Sequence, residues 1–267
     1  MIELLILVAV SGSVLAGLWD LKTTEVPDEV PVLMIVLGIS LLFVEAAMTE
    51  NFYPLFISLA TGTVVLFLGL LNYKRGGWGA ADAWIFAAII YAIPIFNSRL
   101  FIINFFFNFL IVAAVYTIVY SIALGIKNRF VFSYVSKAAK KQMKIVLGAP
   151  VIFSVLVSAL LLIRGVFSVI VPALSFVVVL LAMLFWVYAK SVENHVFVRK
   201  IPTSKLKAGD VLDDMIWKGL TEEEVMKIRK TKKFVSIKDG VRFVPVFPIT
   251  LVVTLLLGNM LFMILGV

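Results

Sequence analysis

Eight apolar stretches, at approximately 2–19, 30–47, 55–72, 82–97, 100–124, 148–163, 165–189 and 243–266, govern what this chain can fold into. A helix rises 1.5 Å per residue, so about 20 apolar residues cross the hydrocarbon of a bilayer and somewhat fewer suffice at the short end. The fourth stretch is interrupted by Pro94. The sixth and seventh are separated only by Arg164-Gly165, and as one re-entrant hairpin they reduce the count to six. With 62% hydrophobic residues and a mean hydropathy of +1.10, the chain has more apolar surface than a soluble domain encloses. The first stretch carries Glu3 where a signal peptide has a basic region, and Trp19-Asp20 is no small-residue cleavage site, so it reads as a retained span. The expected fold is an all-α polytopic membrane protein of about eight transmembrane helices, six being possible, with a small cytoplasmic α/β insert before the last helix.

The basic residues orient the spans. With the N-terminus outside, every one of the 24 Lys and Arg residues except Arg99 and Arg164 falls in an inner loop. That is the positive-inside pattern, and it places the protein in the cell membrane with Asp20 and Asp82 both at the cytoplasmic face. Residues 1–189 then form a transmembrane domain, 190–242 a soluble insert and 243–267 the final helix. Within the first, 130–146 reads as an amphipathic cytoplasmic helix. Lys137, Lys140, Lys141 and Lys144 fall on one face and Phe132, Val135, Ala139 and Met143 opposite, as in a helix lying on anionic headgroups. In the insert, Thr221 and Glu224 have capping-box spacing. Lys238-Asp239-Gly240 reads as a turn joining strands at Phe234–Ile237 and Val241–Val244.

Composition narrows the chemistry. The absence of Cys excludes disulfides, a thiolate zinc site and a cysteine nucleophile, and the single His195 leaves no histidine metal cluster or triad. The net charge of +8 is accounted for by loops flanking spans, so no nucleic-acid partner is expected. Carboxylates remain. Asp20 ends the first apolar helix, before Pro27 blocks continuation, and Asp82 begins the fourth, after the glycines 76, 77 and 79. Ionisable residues at membrane depth are costly, so two from separate helices at one leaflet form a candidate acid–base pair. Hydrolysis of a peptide bond by two carboxyls needs one ionised, to take a proton from water, and one protonated, to polarise the carbonyl. Like charges held close in a partly dry site favour that mixed state. Taken singly, Asp20 reads as a charged helix end and Asp82 as an N-cap; the pairing and the sequence around both favour the catalytic reading.

The two neighbourhoods resemble those of the archaeal prepilin and preflagellin peptidases, relatives of the bacterial type IV prepilin peptidases. The stretch from Asp20 through Lys22 to Pro27 is similar to their first aspartate motif, and Gly79-Ala80-Ala81-Asp82 to their Gly-x-x-Asp signature. The best-known form of that signature has glycine before the aspartate, where this chain has Ala81; the archaeal branch admits a small hydrophobic residue there. Gly240 to Phe247 resembles the Pro-containing lead-in to their last span, and Lys207 to Leu212 and Gly219 to Glu224 look like parts of their insert. The resemblance implies a GxGD-like aspartic endopeptidase with Asp20 and Asp82 as its catalytic pair, supported by Gly79, Ala81 and Pro27. It also implies substrates that are pilin-like or archaellin precursors, cleaved after a short basic leader, and no metal or cofactor. Without Cys the tetracysteine zinc element of bacterial relatives is missing, and no methyltransferase activity is expected. Glu25, Asp28 and Glu29 are acidic groups that can complement a basic leader. Pro245 and Pro248 serve as a helix start or as shapers of the substrate site.

Other classes remain in view. A proton- or cation-coupled transporter wants acids at span centres, where only Glu45 is found, close to an end. A presenilin-like protease carries a Pro-Ala-Leu element near its last aspartate-facing helix, whereas here Pro172-Ala173-Leu174 lies within another span. A catalytically silent relative acting in filament assembly is the third alternative.

Overall fold

The structure, a computed structural model, describes residues 1–213, 219–238 and 241–265. Helices α1 (Ile2–Thr23), α2 (Glu29–Thr49), α3 (Tyr53–Lys74), α4 (Ala80–Ala92), α5 (Phe101–Lys127), α6 (Val131–Lys141), α7 (Met143–Ile163) and α8 (Ile170–Val192) follow one another. They are succeeded by α9 (Glu222–Thr231), α10 (Val246–Leu257) and α11 (Met260–Leu265). Strands β1 (Ile95–Phe96) and β2 (Arg99–Leu100) form a hairpin after α4, and β3 (Val198–Pro202) and β4 (Phe234–Lys238) form a second two-stranded sheet. Among the described residues six helices, α1, α2, α3, α5, α7 and α8, are long and apolar enough to cross a membrane. The protein is an all-α polytopic membrane protein.

Each of the eight apolar runs holds a helix, yet among the described residues the count of full-length spans falls to six for a reason other than the one the sequence offered. The 148–189 region is no single re-entrant hairpin: Gly165, at φ +69, turns the chain between two complete helices that pack together. The short elements are α4, of 13 residues, and α10, of 12.

The chain divides into two compact units. The first comprises residues 1–117 with 240–267 and a short piece around Leu220. Its centre is α4, buried from Asp82 to Ala92 except for Trp84, and packed against α1, α2 and α3. Close approach is possible because small residues face it. A Cβ on Gly69 would lie 2.7 Å from that of Ala83, and one on Gly38 would lie 2.9 Å from the Ala92 Cα. The helix stops because Pro94 crowds the preceding residue, and Ile93 turns to φ −124, ψ 81. Ser58 of α3 donates 2.6 Å to the Tyr91 carbonyl near that end. Asn97 and Ser98, at φ 50 and 61, then make the two-residue turn of the hairpin. Phe86 of α4 meets Phe105 and Phe109 of α5 and Phe247 of α10 at ring separations of 5.2, 5.3 and 6.0 Å, tying the final helix to the same core.

The last span is broken at Gly258, at φ +70. A helix break at membrane depth frees backbone groups that lipid cannot satisfy. Asn108 of α5, fully buried, takes them up. Its Nδ2 donates to the Gly258 carbonyl at 2.6 Å and to Thr254 Oγ1 at 3.0 Å, and its Oδ1 accepts from the Met260 N–H at 2.9 Å.

The second unit comprises 118–213 and 222–239. Here α7 and α8 pack together, and α6 packs on α8, with the rings of Phe132 and Tyr188 6.2 Å apart. The expected amphipathic helix ends earlier than 146. It stops at Lys141, and Lys144 belongs to the first turn of α7, because a helix with one basic face gives way there to one that is apolar all round. In the insert Phe234–Lys238 is a strand, as expected, but its partner is Val198–Pro202 in antiparallel register. Residues Val241–Val244 form no strand, since they lead directly into α10 and the Val244 N–H is committed elsewhere; Asp239 and Gly240 lie outside the described residues. Helix α9 begins one residue after Thr221, and Arg229 within it donates to the carbonyls of Thr203 and Leu206.

Candidate active site

Both aspartates lie in the first unit and both are buried, Asp20 at 5% and Asp82 at 8% exposure. Helix α1 continues one turn past Asp20 to Thr23. Thr24, at φ 63, then closes it by donating its N–H to the Asp20 carbonyl at 2.9 Å. The Asp20 side chain does not face the solvent with its neighbour Lys22, which is exposed. It turns inward, and its Oδ2 accepts the backbone N–H of Val244 at 3.1 Å, just ahead of α10. Gly17, one turn earlier, makes room for this approach: a Cβ there would come within 3.3 Å of the Pro245 Cα.

Asp82 is the third residue of α4, and the N-cap is Gly79, in an extended conformation at φ −74, ψ 153. The Asp82 Oδ2 accepts the Gly79 N–H at 3.0 Å, the half of a capping box that a glycine cap permits. A negative group is also favoured there by the helix N-terminus. A Cβ on Gly79 would sit 3.0 Å from that same oxygen, so glycine at this position keeps the carboxylate where it is. Trp78 packs its ring against Phe86 and Phe109, at 6.0 and 5.8 Å, and fixes the turn before the cap. Ala81 is half-buried against the core.

The two carboxyls, one from α1 and one from α4, lie within each other's electrostatic reach, so the fold brings together what the sequence placed 62 residues apart. A third charge also reaches Asp20, the guanidinium of Arg242. Sequence reading misses Arg242, because no local pattern reveals that the lead-in to α10 returns to α1. Of the remaining singled-out residues, Pro27 is half-buried in the loop between α1 and α2. Glu25, Asp28 and Glu29 are exposed in the same loop and at the start of α2. Pro245 caps α10 and Pro248 lies in its first turn, both near Gly17.

Two buried carboxyls whose charges interact, one held by a backbone N–H from another element and one by its own helix cap, favour a state with one ionised and one protonated, the combination that acid–base chemistry needs.

Residues 7–122 match the type IV leader peptidase family. That stretch holds most of α1, all of α2 to α4, most of α5 and both aspartates, somewhat less than half of the chain. The match supports a prepilin peptidase-like family and, with it, a type IV leader peptidase-like protease in a multi-pass membrane protein. No curated protein and no solved structure matches the chain.

Proposed function

We propose that the chain is an aspartic endopeptidase that removes the short basic leader from type IV pilin-like or archaellin precursors at the cytoplasmic face of the cell membrane, with Asp20 and Asp82 as its catalytic pair. The observation that carries this reading is the convergence of two buried carboxyls from α1 and α4, within the stretch that matches the leader peptidases.

The ionised carboxyl takes a proton from a water molecule while the water oxygen attacks the scissile carbonyl carbon. The protonated carboxyl gives its proton to the carbonyl oxygen. As the tetrahedral adduct collapses and the C–N bond breaks, the protonated carboxyl gives its proton to the leaving amine nitrogen and the ionised carboxyl takes the proton of one gem-diol hydroxyl, so one proton again remains between the two carboxyls. Water and the pair supply every atom of the reaction, so it requires no metal or cofactor. Gly79 sets the position of Asp82, Ala81 packs its helix start and Pro27 ends the approach to α2. Glu25, Asp28 and Glu29 line the loop that follows Asp20 and complement a Lys- and Arg-rich leader. Lys137, Lys140, Lys141 and Lys144 rest on anionic headgroups. The precursor's hydrophobic helix remains in the bilayer while its leader meets the pair.

The test is cleavage in membranes of a panel of pilin-like and archaellin-like precursors by the parent protein, Asp20→Asn and Asp82→Asn. Loss of leader removal in both folded variants is the expected result. Full cleavage by either variant removes the pair from the reaction.

A further inference from the structure

The segment that leads into α10 is built into the candidate site from both ends. Tyr116 of α5 donates its hydroxyl to the Arg242 carbonyl at 2.6 Å, and two residues on the Val244 N–H donates to Asp20 Oδ2 at 3.1 Å. Between them, Phe243 stands edge-on to Tyr116, Phe109 and Phe247, at 6.4, 6.0 and 6.2 Å. A backbone pinned at two points two residues apart, with an aromatic ring wedged between them, has little freedom.

The Arg242 side chain is set in this frame. It is half-buried, and its Nε is fully buried without a hydrogen-bond partner among the described residues. A guanidinium so placed is costly unless a negative charge offsets it. The groups that face Asp20 are Asp82 from α4 and Arg242 from the lead-in to α10; Lys22, on the same helix as Asp20, is exposed. Two carboxyls sharing one proton carry a single negative charge, which one guanidinium balances in a site of low dielectric.

We propose that Arg242 is a positioning residue of the site: it balances the charge of the aspartate pair and, through the Tyr116 and Val244 hydrogen bonds that fix its segment, holds the Asp20 carboxylate in its working orientation. This role rests on the two-aspartate reading above. It assigns to the lead-in of the last helix, which lies outside the family-matched stretch, a part in the chemistry carried by α1 and α4.

The experiment measures cleavage of a leader-bearing precursor by Arg242→Gln, Arg242→Lys and Tyr116→Phe across pH, beside Asp20→Asn and Asp82→Asn, with thermal unfolding in detergent as the control for folding. Arg242→Gln is expected to lower kcat about tenfold or more at nearly unchanged KM. The acid limb of its rate profile is expected to move to higher pH, since a nearby cation favours the ionised carboxylate. Arg242→Lys restores the position of the limb and most of the rate, and Tyr116→Phe falls between. A folded Arg242→Gln with the parent's rate and profile overturns the assignment, as does an Arg242→Lys as slow as Arg242→Gln with its limb displaced equally far. Where Arg242→Gln fails to fold, Arg242→Lys decides: the parent's limb position with most of the rate supports the role, and a displaced limb with a loss of about tenfold overturns it. Inactive aspartate variants beside a fully active Arg242→Gln remove only the Arg242 role, whereas active aspartate variants remove the two-carboxylate reading itself.

Discussion

Replacing Gly79 by alanine separates the geometry of the site from the stability of the fold. The backbone at Gly79, φ −74 and ψ 153, is open to any residue, so alanine brings no backbone strain. Its Cβ, however, comes to 3.0 Å from Asp82 Oδ2 and 3.7 Å from Cγ, and the carboxylate must withdraw by a few tenths of an ångström. The 3.0 Å bond from the Gly79 N–H lengthens with it. Alanine is also a poorer N-cap than glycine, and the combined stability cost is about 1 kcal/mol or less. For catalysis the same movement matters more. A misplacement of about 1 Å in a reacting group costs on the order of a hundredfold, so a few tenths costs about tenfold. Gly79→Ala is therefore expected to melt within a few degrees of the parent and to cleave a leader-bearing precursor about tenfold more slowly. Cleavage at the parent's rate refutes the reasoning, and so does a loss of activity that merely follows a large drop in melting temperature.

Asn108→Ala leaves the Gly258 carbonyl and the Met260 N–H without their side-chain partner at a buried helix break. At about 1–3 kcal/mol for each unsatisfied group the expected loss is about 2–6 kcal/mol, read by denaturant or thermal unfolding in detergent; a change below about 0.5 kcal/mol contradicts it. Replacing Glu25, Asp28 and Glu29 together by their amides is expected to raise KM for a basic-leader precursor at unchanged kcat, with the difference shrinking as salt is added. An unchanged KM at low ionic strength removes the leader-binding role.

The apolar runs and the two aspartates were legible because each is a local property of the chain. The burial of α4 was not. Its sequence is apolar all round, and such a helix reads the same whether its neighbours are lipid or protein. Pro94 showed as an interruption, but Asn97-Ser98, whose side chains tolerate a left-handed turn, carried the hairpin signal that was passed over. Gly258-Asn259 inside the last apolar run was a similar unused sign of a break. Strand β4 was recognisable, whereas its partner was assigned to the nearest stretch by sequence, and the true partner lies on the far side of α9. The Val244 contact to Asp20 joins residues 224 positions apart, and periodicity carries no record of such a distance.

Helix lengths settle how a 13-residue helix serves in a bilayer. From Ile2 to Asp20, α1 rises about 27 Å, close to the hydrocarbon thickness, so Asp20 lies near one surface, with the exposed Lys22 just beyond it. Asp82, within the electrostatic reach of Asp20, starts α4 at a similar depth, and from there to Ala92 the helix rises only about 15 Å. Some 12 Å therefore remain to the opposite surface, and Ile93 to Phe96, a bend at Pro94 followed by β1, reach at most about 13 Å at roughly 3.3 Å each. Extended backbone is tolerated there because the hairpin pairs its own groups, Ile95 with Leu100 and Phe96 with Arg99, and because the Phe101 N–H donates to the Pro94 carbonyl at 3.0 Å. The turn and Arg99 then emerge on the face opposite Lys22. Since the chain has no cysteine, Lys22→Cys and Arg99→Cys report this cleanly. An impermeant maleimide applied to one side of sealed vesicles is expected to label one variant and spare the other, with the pattern reversed in inverted vesicles. Labelling of both from the same side breaks the argument at its first step, the depth of Asp20.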